Sequence, residues 1–182
     1  MSSDLLASSA ALPVIETPRL RLRPRRMADL EASIAMDREP GTTDLIDGPW
    51  DDPAAHRAFV RARIRGPYPR GLGYWVIARR ERPQEFLGWV LLIPEDAIGP
   101  AVEIGWRVIG TARGQGFAPE AAANVLSHGF QTVGLRRVIS EIHADNKASR
   151  RVAEKIGMCL AVPSIPDRPE QCLYEARIDC AV

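Results

Sequence analysis

The chain has 182 residues, 24 of them basic and 23 acidic, for a formal net charge of +1. That balance leaves no global field to draw in nucleic acid or an anionic membrane, and no apolar run approaches the roughly 20 residues of a membrane span. Three cysteines without Cys-x-x-Cys spacing and three scattered histidines argue against a disulfide scaffold and a metal site, and predict reduced thiols in a cytoplasmic protein.

Residues 1–14 are small and polar and lack a basic n-region, which predicts a flexible segment rather than a secretory signal. Residues 15–182 carry no repeat and no linker, so a single domain is expected there. Leu20 and Leu22 alternate with Arg19, Arg21 and Arg23, the pattern of a half-exposed strand. Residues 27–36 read as a helix. Residues 39–53 read as a loop whose Trp50 is either a buried anchor or a substrate wall. Residues 54–64 form a second helix, with Phe59, Val60 and Ile64 inward. Arg57, Arg61, Arg63 and Arg65 then make a solvated face, without the interleaved aromatics that an RNA-binding surface needs.

Residues 74–78 and 85–93, rich in aromatic and branched side chains, are two further strands. Next, Val102, Ile104, Trp106 and Val108 alternate with Glu103, Gly105 and Arg107, giving a central strand. A glycine-rich turn spans 110–116. A helix begins at Ala118 with Pro119 in its first turn and carries Ala122, Val125, Leu126, Phe130 and Val133 as far as a Gly134 stop. Residues 137–143 are a strand, 146–156 a helix capped by Gly157, and 173–178 a last strand. The sum is α+β: a mixed sheet with helices packed on it.

Strand, glycine turn and helix N-terminus together form an anion site. First-turn N–H groups lack intrahelical acceptors, and the helix dipole puts partial positive charge beside them. Gly114 and Gly116 permit close backbone approach, and Arg113 adds a formal charge. The chemistry indicated is phosphate or pyrophosphate binding, with a purely structural turn as the alternative. A P-loop is excluded because no Gly-Lys occurs. The dinucleotide fingerprint fails because Pro119 stands where its third glycine would be.

Arg113-Gly-Gln-Gly-Phe-Ala118 resembles the Q/R-x-x-G-x-G/A signature of the GNAT N-acetyltransferases. Three landmarks in the same order resemble the RimJ/RimL-like branch of that family. They are Glu16-Thr-Pro-Arg-Leu-Arg-Leu-Arg23, Gly134-Leu-Arg-Arg-Val138, and Asn146-Lys-Ala-Ser149 followed by Glu154-Lys-Ile-Gly-Met158. The match covers roughly residues 15–178. It implies the GNAT fold, a mixed central sheet of about 6–7 strands flanked by about 4 helices, and acetyl-coenzyme A as cosubstrate.

By the same resemblance, Arg113, Gly114, Gln115, Gly116, Phe117 and Ala118 hold the pyrophosphate. The strand carrying Trp106 and Val108 offers backbone groups to pantetheine, if it splays from its neighbour. Asn146 and Ser149 contact the pantetheine or thioester, with Ser149 orienting or protonating the thiolate. Amide formation needs the amine made neutral, and a carboxylate can take its proton. Glu103, just ahead of Ile104-Gly105, is the candidate base, or else a strand carboxylate paired with Arg107 or another arginine. Asn146 equally suits an N-cap, and Ser149 an ordinary helix position. Many relatives place a tyrosine acid seven residues after the asparagine; here Ala153 occupies that position.

The expected activity is acetyl transfer to a primary amine by direct attack in a ternary complex. No nucleophile–base motif points to a covalent intermediate. The partners are acetyl-coenzyme A and an acceptor, either a protein N-terminus or a small molecule, with a homodimer left open, nucleic acid disfavoured and no membrane. The alternative class is a non-catalytic acyl-coenzyme A sensor or scaffold.

Overall fold

The computed structural model describes residues 12–180, so most of the segment expected to be flexible lies outside the described residues. Eight strands form one sheet: β1 (Ile15–Glu16), β2 (Leu20–Pro24), β3 (Gly73–Arg79), β4 (Gly88–Pro94), β5 (Val102–Val108), β6 (Arg137–His143), β7 (Cys159–Val162) and β8 (Gln171–Arg177). Their order across the sheet is β1-β2-β3-β4-β5-β6-β8-β7. Every pairing is antiparallel except β5 with β6. Four helices accompany them: α1 (Leu30–Asp37), α2 (Pro53–Arg65), α3 (Phe117–His128) and α4 (Lys147–Lys155).

Eight strands exceed the six or seven expected. The two unforeseen ones have little local signal: β1 is only two residues long, and β7 is an edge strand whose Cys159, Leu160 and Ala161 are exposed. Elsewhere the differences are local. Residues 27–29 form a 3-10 turn before α1. The helix expected to reach Val133 stays α-helical to His128, then widens into a π-helical turn over Gly129–Val133 that ends at Gly134 in the left-handed region.

The sheet is covered on both faces, which is why β3 and β4 read as almost unbroken hydrophobic runs. On one face Leu22, Trp75, Ile77, Val90, Leu92 and Ile104 pack against Phe117, Ala121, Ala122 and Val125 of α3. On the other, Tyr74, Trp89, Leu91 and Ile93 pack with Met36 of α1. Leu30 and Ile34 of α1 meet Val60 of α2. The start of α2 is fixed locally: Pro53 occupies its first turn, and Asp52 accepts from the N–H groups of Ala54 and Ala55 at 2.8 and 3.1 Å. Among the described residues no helix is long and apolar enough to cross a membrane, and no group of three or more His, Cys, Asp or Glu could hold a metal ion.

Candidate active site

β5 and β6 meet at one register position, Glu103 opposite Ile139, and part beyond it. Each keeps its other partner throughout: β5 is laddered to β4 from Val102 to Val108, and β6 to β8 from Arg137 to His143. The C-terminal halves of β5 and β6 therefore present unpaired backbone edges to each other, groups that need a partner from outside the sheet. This is the splay on which the strand's expected role depended.

Two cavities open along the split. One, of about 300 Å³, lies on the α1–α2 face and is bordered by Glu103, Gly105, Trp50, Arg25 and Arg63. The other, of about 370 Å³, is bordered by Val108, Arg113, Gly114, Gly116, Phe117 and Ala118. Trp106, Arg107, Asn146 and Ser149 border both, so the two cavities meet at the split.

The turn between β5 and α3 is built from its glycines. Gly114 and Gly116 have φ of 76° and 78°, a region that L side chains rarely adopt. Gly116 is the N-cap of α3. The N–H groups of Gly114, Gln115 and Gly116 donate to no backbone carbonyl among the described residues, and those opening α3 have no intrahelical acceptor. Such a cluster of free donors at a helix N-terminus attracts an anion.

Neighbouring segments hold the turn in place. Gly110 N–H donates to Glu39 Oε2 at 2.6 Å, and Arg113 Nη2 donates to Thr42 Oγ1 at 2.5 Å. Glu120 accepts from Thr17 Oγ1, Arg19 N and Arg19 Nε at 2.6, 3.0 and 2.6 Å. The Gln115 side chain does not border the cavity: its Nε2 donates back to Thr111 O at 2.7 Å, while the backbone carbonyl of Gln115 accepts from Arg19 Nη1 at 2.9 Å.

Asn146 caps α4, its Oδ1 accepting from Ser149 N–H at 3.0 Å. That bond sets both residues at the first turn of α4, beside the split. The Ser149 hydroxyl is half-buried and has no protein hydrogen-bond partner among the described residues. Ala153 is fully buried in the core. The Tyr174 hydroxyl is occupied on α4, accepting from Arg150 Nε at 3.0 Å and donating to Glu154 at 3.3 Å. No tyrosine among the described residues borders the second cavity.

Glu103 shares its sheet face with Gly105 and Arg107, and Gly105 lies against Leu91, which would meet an added Cβ at 3.4 Å. The pairing of Glu103 with Arg107 does not form. Arg107 instead bonds Asp37 of α1, whose other oxygen lies 3.0 Å from His56 Nε2. Burial pushes the Glu103 carboxyl up to about 7; Asp96 adds to the rise, Arg63 opposes it, and Glu141 and Glu95 add further. Burial also raises Glu141 against the opposition of Arg168, which bonds it at 2.5 and 2.8 Å. A carboxyl poised near neutrality in a cavity is suited to taking a proton from a bound amine.

Trp50, read as a buried anchor or a substrate wall, borders the first cavity: its Nε1 donates to Ile46 O at 2.6 Å, and its ring meets His56 and Phe59 edge-on. Two arginines there were not foreseen as site residues. Arg63 belongs to the α2 face read as solvated, yet its head is half-buried over Phe59 and its Nη1 is buried. Arg25 lies over the Tyr74 ring, 3.8 Å from its centroid. No sequence pattern distinguishes either arginine from its neighbours, because burial by distant segments selects them.

A family model described as an acetyltransferase (GNAT) domain matches residues 19–159. The Bacillus subtilis (strain 168) protein "Uncharacterized protein YkkB" is 37% identical over 144 residues, spanning 78% of this chain and 83% of that one. The "FsC-acetyl coenzyme A-N(2)-transacetylase" of Aspergillus fumigatus is 28% identical over 157 residues, 81% of this chain and 66% of that one. Among solved structures, an acetyltransferase from Agrobacterium tumefaciens str. C58 superposes with a TM-score of 0.76 at 27% identity, covering 97% of this chain and 99% of that one. The chain belongs to the GNAT acetyltransferase family and is an acyltransferase that uses acetyl-coenzyme A as cosubstrate.

Proposed function

We propose that this enzyme transfers acetyl to a primary amine, by direct attack of the amine while both substrates are bound. The observation that carries the reading is the junction of two cavities at Trp106, Arg107, Asn146 and Ser149, with Glu103 bordering only the first. Acetyl-coenzyme A would supply the thioester. Its pyrophosphate suits the free N–H groups of residues 114–118 together with Arg113, and its pantetheine suits the unpaired edge of β5 at Trp106 and Val108. The acceptor would then occupy the Glu103 cavity.

Glu103 takes the proton that the acceptor ammonium must lose before its nitrogen can attack. Asn146 orients Ser149, whose hydroxyl has no protein partner among the described residues and borders both cavities, where it can donate to the leaving sulfur. With Ala153 buried, Ser149 or water takes the place of the tyrosine acid. The residues Glu16–Arg23 and Asn146–Ser149 support membership of the RimJ/RimL-like branch, within one domain over 15–182. The acceptor is a protein N-terminus or a small amine.

The test is thiol release from acetyl-coenzyme A over a panel of amines, with the wild type and with Glu103→Gln. Amine-dependent release, abolished in the variant while acetyl-coenzyme A still raises its melting temperature, is the expected result. Cofactor binding without turnover of any amine would instead identify a sensor or scaffold.

A further inference from the structure

The Glu103 cavity is bordered by charged groups of both signs. Of its carboxylates, Glu141 is paired with Arg168 and Asp37 with Arg107, whereas Glu103 has no ion-pair partner among the described residues and feels the charges of Asp96, Glu141 and Glu95. The same cavity is bordered by two guanidinium groups, Arg25 and Arg63, neither with a carboxylate partner within ion-pair distance among the described residues.

Arg25 is the more telling of the two. It is 9% exposed, its Nε and Nη2 are buried without hydrogen bonds, and it lies against the edge-on pair of rings formed by Tyr74 and Trp89. The carboxylates whose charge reaches it are already committed. Asp29 is held by Arg23 at 2.7 and 2.9 Å, and Asp37 by Arg107 and His56. A buried guanidinium normally carries hydrogen bonds to offset its desolvation, so an unbonded one bordering a cavity calls for a ligand. Arg63, on the facing helix, leaves Nη1 buried and unbonded, and its charge reaches Glu103. The same two arginines border a third cavity of about 670 Å³, lined also by Arg65 and Arg70 and by no acidic residue.

We infer that the acceptor is an amine bearing its own carboxylate, an amino-acid-type zwitterion whose carboxylate is held by Arg25 and Arg63 while its ammonium faces Glu103. This rests on the acetyl-transfer reading above and narrows it. A guanidinium–carboxylate contact gives both orientation and selectivity. It also disfavours polyamines, whose second cation would meet the arginines.

The test compares matched acceptors: free amino acids, the same amino acids as carboxamides, and spermidine, with thiol release as readout. The acids should exceed their amides by about tenfold or more in kcat/KM, because an amide leaves the guanidinium charges unanswered. In Arg25→Met and Arg63→Met that acid-to-amide ratio should fall toward one. Arg25→Lys, which keeps the charge without the fork, should fall between, and it serves should the Met variant not fold. The melting shift with acetyl-coenzyme A checks each variant's integrity. Equal use of acids and amides, a preference for spermidine, or a ratio unchanged in the variants would overturn this inference and leave acetyl transfer standing. No turnover of any acceptor, with cofactor still bound, would overturn both.

Discussion

Arg107, four residues beyond Glu103 on the same face of β5, gives its guanidinium to Asp37 of α1 rather than to Glu103. Asp37 is nearly buried and also meets His56, so the pair is locked by two helices. The consequence falls on Glu103. A carboxylate beside a bonded arginine would be held low in pKa and be a poor base; deprived of that partner and buried, it sits near neutrality.

If Asp37 is what diverts Arg107, Asp37→Asn should free the guanidinium toward Glu103. The rise of kcat/KM with pH should then begin below 7. Removing one member of a buried pair also costs about 3 kcal/mol or more, readable as a lower denaturant midpoint. A lowered midpoint with an unmoved pH profile would show that Arg107 does not reach Glu103.

Glu103 itself predicts a pH profile. As base it must be ionised, so kcat/KM should rise through about pH 7 and level off on this limb. In Glu103→Gln the limb should vanish and the rate fall by about 10²- to 10⁴-fold. Persistence of the limb in the variant would assign it to another group.

The same shift bears on stability. An ordinary glutamate titrates near about 4.3, and in the folded chain Glu103 titrates at about 7. Between these values the folded state binds more protons than the unfolded state, so stability falls as pH rises through that window and is level above it. The loss is on the order of 3 kcal/mol. Glu103→Gln has no such titration. The stability of the variant minus that of the wild type should therefore grow by about that amount between pH 4 and pH 8 in urea melts.

At Gly114 an added Cβ meets nothing within 4 Å, though its φ of 76° strains most residues. Asp tolerates that region better than most, so Gly114→Asp should fold with a loss of about 1 kcal/mol. With acetyl-coenzyme A at 100 times its Kd, the wild type should gain about 2.7 kcal/mol, a melting shift of about 5–11 °C. The variant, with a carboxylate in the cradle, should lose the shift. A retained shift would move the pyrophosphate away from this turn.

The features legible in the chain were those written in local spacing. The period-two run of β5, the glycines of the turn and the Pro119 start of α3 lie within about twenty residues and need no distant partner to be read. Asn146 as a cap was legible for the same reason. The weak strands β1 and β7 were not, because two residues or an exposed edge carry no hydrophobic periodicity. Nor could the side chain of Gln115 be placed, since its motif position says nothing of the bond it makes back to Thr111.

By itself, the sequence determined the fold class and the glycine turn that opens α3, because helix period, strand alternation and left-handed glycines are properties of neighbouring residues. Only the tertiary structure decided which ionisable groups are paired and which are left to chemistry. Arg107 goes to a helix 70 positions earlier, and burial reaches Glu103 and Arg25 from segments far along the chain. Desolvation and ion pairing depend on distance in space, which local spacing does not encode.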